Sequence, residues 1–541
     1  MMKIIDDYLT KRSEFDENNI IVPSFDQEEV RVQTKKTPEW VHFGGGNLYR
    51  CFHAKIASDL LNQQRLKTGI VLVETFGEDI INEVYRKNQN RSLTVTMEAD
   101  GNFDKELIAS TAESLFLGYQ EDINCLREIF EAESLKLVTL TITEKGYVTR
   151  DSHGNLSSQA AKDIKTGPVI EKLISPMGQL TYFVYRRYLK KEIPLALVST
   201  DNFSHNGQRL KEAIMTIANG WLELGFVDKK FLNYVSEERK ISYPFSMIDR
   251  ITPIPNEDIA KELEAEGIED MMPFVSEKQG MKLASFVNTE KIHYLVVEDH
   301  FPNGRPALEE AGVILTDRDT VNKADLMKVC TCLNPLHTAL AVYGSLLGFN
   351  RIYDESQDAD LRKLIDKIGS EGLKVVENPG IIDPKDFIKE VIEKRFSNPN
   401  IPDTPQRIAS DTSQKVGIRF GETIKNYVKS SEVKVEDLKY IPLVIAGWLR
   451  YLMGINDELQ SFEVSPDPLL EELQDYVGKI EIGMNDKTLI HECLNPILSN
   501  EVIFGLNLCA IGMSDLIEQY FIEMIQDQGS VRSTLHKYVT E

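Results

Sequence analysis

The chain has 541 residues, 42% hydrophobic and 27% charged, with a formal net charge of −24. This composition excludes a mainly disordered chain, and the length predicts two or more packed domains. The negative field repels phosphate chains, so no nucleic-acid partner is expected.

Residues 1–37 are polar without a strong period and read as an N-terminal extension with room for one short helix. Acidic residues stand where an export signal needs a basic start and an apolar run, so a cytoplasmic protein is expected. From Trp40, the runs WVHF, GIVLVE (69–74), LKLVTLTI (135–142), LALVS (195–199) and HYLVVE (293–298) are short and β-branched, several separated by helical spacing. They predict an α/β fold with a parallel sheet and crossover helices. Between them, SLTVTME (92–98) and KELIAST (105–111) flank Ala99-Asp100-Gly101-Asn102, a hairpin signal that predicts an antiparallel insertion beside the sheet. After about residue 321 the pattern is helical, over 322–347, 360–368, 384–396, 414–428, 435–453 and 502–527, which puts a domain boundary near 318. The apolar stretch 441–453 is too short to cross a bilayer and contains Arg450, so a buried helix and no membrane partner are expected. Six scattered cysteines read as reduced core thiols, with no metal site.

Gly44-Gly45-Gly46 follows an apolar run and precedes Asn47, Leu48, Tyr49 and Arg50, which open a helix with Leu48, Phe52, Ile56 and Leu60 on one face. A strand, a glycine turn and a helix start form a phosphate cradle, because backbone amides and the helix dipole favour an anion. The G-x-G-x-x-G pattern is incomplete, since Tyr49 stands where the third glycine would be, and a tight turn made for steric reasons fits the same residues. Glu74 ends the next strand, where a carboxylate binds a ribose 2′-hydroxyl and repels a 2′-phosphate, which favours NAD over NADP. A solvated strand-end carboxylate is the alternative. Polar clusters also follow later strands, at Thr143-Glu144-Lys145, Ser199-Thr200-Asp201-Asn202 and Asp249-Arg250, where open α/β sheets bind ligands.

The helical half sets Asp325, Lys328, Asn334 and His337 into the apolar segment ADLMKVCTCLNPLHTALAVYG. A buried lysine costs several kcal/mol unless it is paired or neutral. A lysine reaching out from a helix edge, with the histidine bonded in the core, is the plainer reading.

Seven ordered blocks resemble the mannitol dehydrogenase and hexuronate reductase family of long-chain polyol dehydrogenases: HFGGGNLYR, TITEKGY, STDNFSHNG, FSMIDRITP, VEDHFPNGRPALEEAGV, LMKVCTCLNPLHTAL and RFSNPNIPDTPQRIASDTSQK. The resemblance implies a Rossmann-type NAD-binding domain over 38–317 and a mostly α-helical catalytic domain over 318–541, with NAD(H) and substrate in a cleft and no catalytic metal. It implies that the glycine turn, Glu74 and Glu144 hold the cofactor. The family signature K-x-x-x-x-N-x-x-H makes Lys328 the acid/base, Asn334 a carbonyl-polarising amide and His337 a substrate ligand, with Asn202 as second amide. Arg407 and Lys415 match residues at the substrate's far end, Asp249 lies in the substrate-side block, and Asp325 matches an acidic residue linking the lysine to solvent.

Lys328 and Asn334 are six apart here, one more than in the signature. At ~100° per residue that would swing Asn334 and His337 off the lysine's face unless a π-bulge absorbs it, and Pro335 already loosens that turn. The implied reaction moves a hydride between nicotinamide and a sugar carbonyl, while a buried lysine, neutral at working pH for oxidation, handles the proton. Arg250, Arg407 and Lys415 are cations suited to a carboxylate, which favours a hexuronate such as fructuronate. A tagaturonate reductase, a neutral mannitol-type enzyme and a non-catalytic dinucleotide sensor stay open, as do monomer and homodimer.

Overall fold

The computed structural model describes residues 2–98, 100–151, 153–278 and 280–540, and the chain divides into two compact units, Met1–Asn322 and Lys323–Glu541. In the first, six parallel strands are β1 (Trp40–Phe43), β2 (Ile70–Glu74), β3 (Thr111–Phe116), β4 (Leu137–Leu140), β5 (Leu195–Ser199) and β6 (Ile241–Ser242). Their order is β3-β2-β1-β4-β5-β6, the Rossmann order, with its reversal between β1 and β4. Every residue of β1 and β5 is buried, as strands covered on both faces require. Alternation assigns the faces. Val41, Phe43, Val71, Val73, Val138 and Leu140 join one apolar cluster with helices Gln120–Glu131, Pro176–Lys191 and Asn206–Glu223. Trp40, Ile70, Leu72, Leu137, Ala196 and Val198 join the other with helix Ala54–Asn62.

Two strand expectations change. HYLVVE stays out of the parallel sheet: Tyr294–Glu298 pairs antiparallel with Ser246–Asp249 and parallel with Ile314–Thr316 in a sheet of its own. β3 was hidden behind the hairpin strand before it. The ladder of Phe103–Ile108 ends, and the Ser110 carbonyl then accepts from Ile70 N–H at 2.9 Å, steering the chain onto the edge of the parallel sheet. The hairpin forms, from Ser92↔Ile108 to Met97↔Phe103, although Ala99 of its turn lies outside the described residues. It sits in a four-stranded sheet with Ile20–Ile21 and Phe286–Glu290. The first 37 residues hold helices Arg12–Glu17 and Gln27–Lys36 around that short strand, with Met2, Ile4, Tyr8 and Phe15 buried.

The second unit is helical. Helix Tyr440–Leu452 is buried from Ile441 onward and packs against Asn334–Leu346 and Ser514–Met524, with Tyr343 Oη donating to the Leu443 carbonyl at 2.9 Å. Arg450 is held inside it by the Ile455 and Asn456 carbonyls. Among the described residues no helix is long and apolar enough to cross a membrane, and all six cysteines are free thiols.

One guanidinium ties together the turns below the parallel sheet. Arg187, fully buried, donates to the carbonyls of Phe130, Ala132, Leu135, Ile193 and Pro194, and burial pushes it down to about 10. Arg187→Met strands five carbonyls, so urea unfolding is expected to show a loss of at least about 3 kcal/mol. A loss below about 1 kcal/mol would contradict that role.

Candidate active site

β1 ends at Phe43 and the chain turns at Gly44, whose φ of +105° and whose position against the Thr141 carbonyl admit glycine alone. Gly45 is packed by Tyr85 and Leu72, and its N–H donates to the Glu74 carboxylate. At Gly46 nothing lies within 4 Å of where a side chain would stand. Steric need therefore explains Gly44 and Gly45 but leaves Gly46 as an open approach to the backbone. The helix starts at Asn47, with first-turn amides that have no helical acceptor, and runs through a π-helical segment, Tyr49–His53. Leu48 is half-buried against the core below.

Asn47 Nδ2 donates to the Pro253 carbonyl at 3.0 Å, and its Oδ1 accepts from Arg50 at 2.7 Å. Arg50 is a correction to the expected cofactor set. It is 2% exposed and its other terminal nitrogen donates to the Ala284 carbonyl, so it anchors the helix start from beneath. Glu74 stands at the end of β2, half-buried, where burial pushes its carboxyl up to about 7 against the opposing amides of Gly45, Gly77 and Thr75.

Beyond β4, Thr143 has φ +64° and ψ 158°, a strained conformation for a side-chain-bearing residue. Asp201 holds it there by accepting from the N–H groups of Ile142 and Thr143, each at 2.9 Å, and from Tyr147 Oη at 2.7 Å. The sequence reading quoted Asp201 without giving it a role. Neighbouring Asn202 is exposed after β5, Glu144 is exposed and pairs with Arg209, and Asp249 is buried at its strand end. Arg250 is a second correction. Its Nε donates to Thr289 at 3.0 Å and its guanidinium lies over the Phe52 ring, in a groove that already holds Asp59, Asp104, Glu106 and Glu290. Arg250 is thus engaged within its own unit, in a groove that also holds Lys55, Lys105 and Lys291, with Lys55 paired to Asp59 and Glu106.

In the second unit the helix expected across 322–347 is interrupted where the extra residue falls. Lys328–Cys332 is a π-helical turn closed by Leu333 N–H to the Lys328 carbonyl at 3.1 Å. Leu333 then leaves helical dihedrals at φ −127°, ψ −65°, and a new helix, Asn334–Leu346, starts with Pro335 in its first turn. Lys328 is 2% exposed, with Nζ 3.6 Å from Asp325 Oδ1. Among the described residues the Asn334 carboxamide makes no hydrogen bond, while its backbone carbonyl accepts from Thr338 Oγ1 at 2.8 Å.

His337 Nε2 lies 3.1 Å from Asp403 Oδ2, and the other oxygen of Asp403 accepts from Arg407 Nε at 2.8 Å. Burial lowers the His337 pKa despite Asp403. At Asp403 burial opposes the charge, but His337 and Arg407 outweigh it and hold the carboxyl below its usual range. Lys415 Nζ donates to the Ser410 carbonyl at 2.6 Å, and its pKa is lowered by burial and then by Arg419 and Arg407. Arg407 is exposed and Lys415 half-buried. Asp325, Lys328, Asn334, His337, Arg407 and Lys415 thus all belong to one unit, with Asp403 and Arg419 added to them.

Two family models match the chain: the mannitol dehydrogenase Rossmann domain over residues 38–310 and the mannitol dehydrogenase C-terminal domain over 321–521. The D-mannonate oxidoreductase of Thermotoga maritima is 48% identical over 99% of this chain and 99% of its own length. The chain belongs to the mannitol dehydrogenase family. Two solved structures are similar in fold. A substrate-free D-sorbitol dehydrogenase has a TM-score of 0.77 at 23% identity, covering 95% of this chain and 97% of that one. The Pseudomonas fluorescens mannitol 2-dehydrogenase ternary complex with NAD and D-mannitol has a TM-score of 0.72 at 24% identity, covering 100% of both.

Within this mannitol dehydrogenase family chain, Asp403 lies inside the block RFSNPNIPDTPQRIASDTSQK and Arg419 four residues past it, neither having been given a role from sequence. A buried carboxylate between a histidine and an arginine leaves no local pattern.

Glu74 supplies a pH test. A carboxyl held at about 7 when folded, against 4.5 as a free side chain, makes the native protein lose stability as pH rises between those values. Glu74→Gln has no such loss. It is expected to match the parent near pH 4.5 and to exceed it at about pH 8 by on the order of 1 kcal/mol in urea unfolding, after allowance for partial exposure. Equal stability at both values would contradict the burial.

Proposed function

We propose that the protein is an NAD-dependent oxidoreductase that reversibly reduces D-fructuronate to D-mannonate. The observation that carries this reading is an ammonium group 2% exposed in a π-turn, 3.6 Å from a carboxylate and followed by an unpartnered carboxamide and a histidine. Enclosing such a group is costly, and its chemistry suits proton exchange with a sugar oxygen. The 48% identity to a protein named D-mannonate oxidoreductase supports the substrate.

The glycine turn fits a dinucleotide. Gly46 leaves an open approach to the backbone after the close-packed Gly44 and Gly45, Asn47 and Leu48 contribute helix-start amides to a pyrophosphate, and Glu74 suits an adenosine ribose while disfavouring a 2′-phosphate. NAD(H), when bound, supplies or takes the hydride. Lys328 Nζ gives a proton to the substrate oxygen during reduction and removes it during oxidation, with Asp325 passing it onward. The Asn334 carboxamide donates to the same oxygen as its negative charge grows, and Asn202 is assigned the parallel role. Such donors are typically worth about 2.7–4 kcal/mol each. His337, oriented by Asp403, binds a hydroxyl, while Asp249, Arg407 and Lys415 serve the rest of the sugar acid. The enzyme would work in the cytoplasm as a monomer or homodimer.

Rates of NADH and NADPH consumption with fructuronate, tagaturonate and fructose test the reading. Fructuronate with NADH is expected to give the highest kcat/KM, and a preference for fructose or for NADPH would contradict it. Lys328→Ala is expected to lower kcat by roughly 10²- to 10⁴-fold with NADH affinity retained, whereas near-parent turnover would remove the lysine from proton transfer.

A further inference from the structure

The fully buried guanidinium groups Arg187, Arg450 and Arg50 each meet two or more protein acceptors. Arg187 has five carbonyl acceptors, Arg450 is held by carbonyls, and Arg50 by a carbonyl and a carboxamide. Arg419 differs. Its one hydrogen bond among the described residues runs from a terminal nitrogen to Thr338 Oγ1 at 2.6 Å, although a guanidinium carries five N–H donors. Among the described residues no carboxylate pairs with it. Nearby Asp403 is occupied by Arg407 and His337, Asp411 lies 4.0 Å from Lys415, and Asp467 is engaged by Ser413. Arg419 is half-buried and none of its nitrogens is fully enclosed without a partner, so its remaining donors keep contact with solvent.

The place of Arg419 in the fold is as specific. It sits on another π-helical turn, Gly417–Gly421, which packs against the π-turn that begins with Lys328. Its hydroxyl partner, Thr338, follows His337 and bonds the Asn334 carbonyl, so Arg419 is joined to the helix that carries both. Arg419 and Arg407 both lower the Lys415 pKa, which marks three cations as close neighbours. Burial pushes the Arg419 guanidinium down to about 10, so its charge is costly as it stands.

We propose that Arg419 binds the carboxylate of the sugar acid and sets the preference for an acidic over a neutral substrate. This rests on the fructuronate reading and deepens it. The fork of free N–H groups matches a carboxylate in a bidentate pairing, and the anion supplies the counter-charge that the protein withholds. Arg407, already paired with Asp403, is left to hydroxyl groups.

The test compares the parent, Arg419→Met and Arg419→Lys in NADH-dependent reduction of fructuronate and of fructose, with thermal unfolding recorded for each. In Arg419→Met the rise in KM for fructuronate is expected to exceed that for fructose by roughly 10- to 100-fold, and Arg419→Lys is expected to fall between. Equal losses on both substrates would mean that Arg419 serves only the fold, and an unchanged fructuronate KM would also overturn the assignment. Should Arg419→Met not fold, Arg419→Lys decides by the same ratio. A parent that reduces neither substrate defeats the underlying reading, whereas a parent that reduces fructuronate beside a variant of equal KM defeats the Arg419 assignment alone.

Discussion

An ammonium group enclosed by protein is expensive, and the second unit is built around one. Lys328 keeps its place because the helix widens there. The i→i+5 bond from Leu333 to Lys328 takes up the extra residue, Leu333 breaks the helix, and Pro335 restarts it without needing the amide it lacks. With six residues and a straight α-helix, Asn334 and His337 would be carried off the lysine's side. The widened turn therefore accounts for the sequence spacing, and the proposed chemistry requires that it keep lysine, amide and histidine on one side.

Charge is organised against the molecule's own average. The chain carries −24, yet Arg407, Lys415 and Arg419 gather beside His337 with few carboxylates left to neutralise them. Ionic screening over about 8 Å at physiological salt lets such a local cluster prevail over a distant opposing field. A small anion can be drawn to it while long polyanions are repelled elsewhere. Asp403 bonds Arg407 and lies against His337, which leaves Arg419 the cation most in want of an anion.

What the sequence disclosed followed local physics. Strand β1, the glycine turn and the helix behind it were readable because hydrophobic period and glycine chemistry act over a few residues, and the π-turn was foreshadowed by the spacing and Pro335. The buried helix over 441–452 was equally plain. Long-range contacts were not legible. Arg50 turned inward because Ala284 awaited it, Arg250 met Thr289 and the Phe52 ring, and HYLVVE paired with Ser246–Asp249 in place of the parallel sheet. The first 37 residues looked unpatterned because their burial depends on partners such as Arg91, whose guanidinium lies over the Tyr8 ring. Asp201, Asp403 and Arg419 act through neighbours remote in sequence, which no local period can announce.

The central claim is that an amine nitrogen at position 328 carries the proton. Chemical rescue of Lys328→Ala by small primary amines of graded basicity tests it most directly, because the truncated side chain leaves room for the missing group. The account predicts fructuronate reduction that rises with amine concentration and varies systematically with amine basicity. A truncated enzyme that binds NADH and fructuronate yet gains nothing from any amine would contradict it.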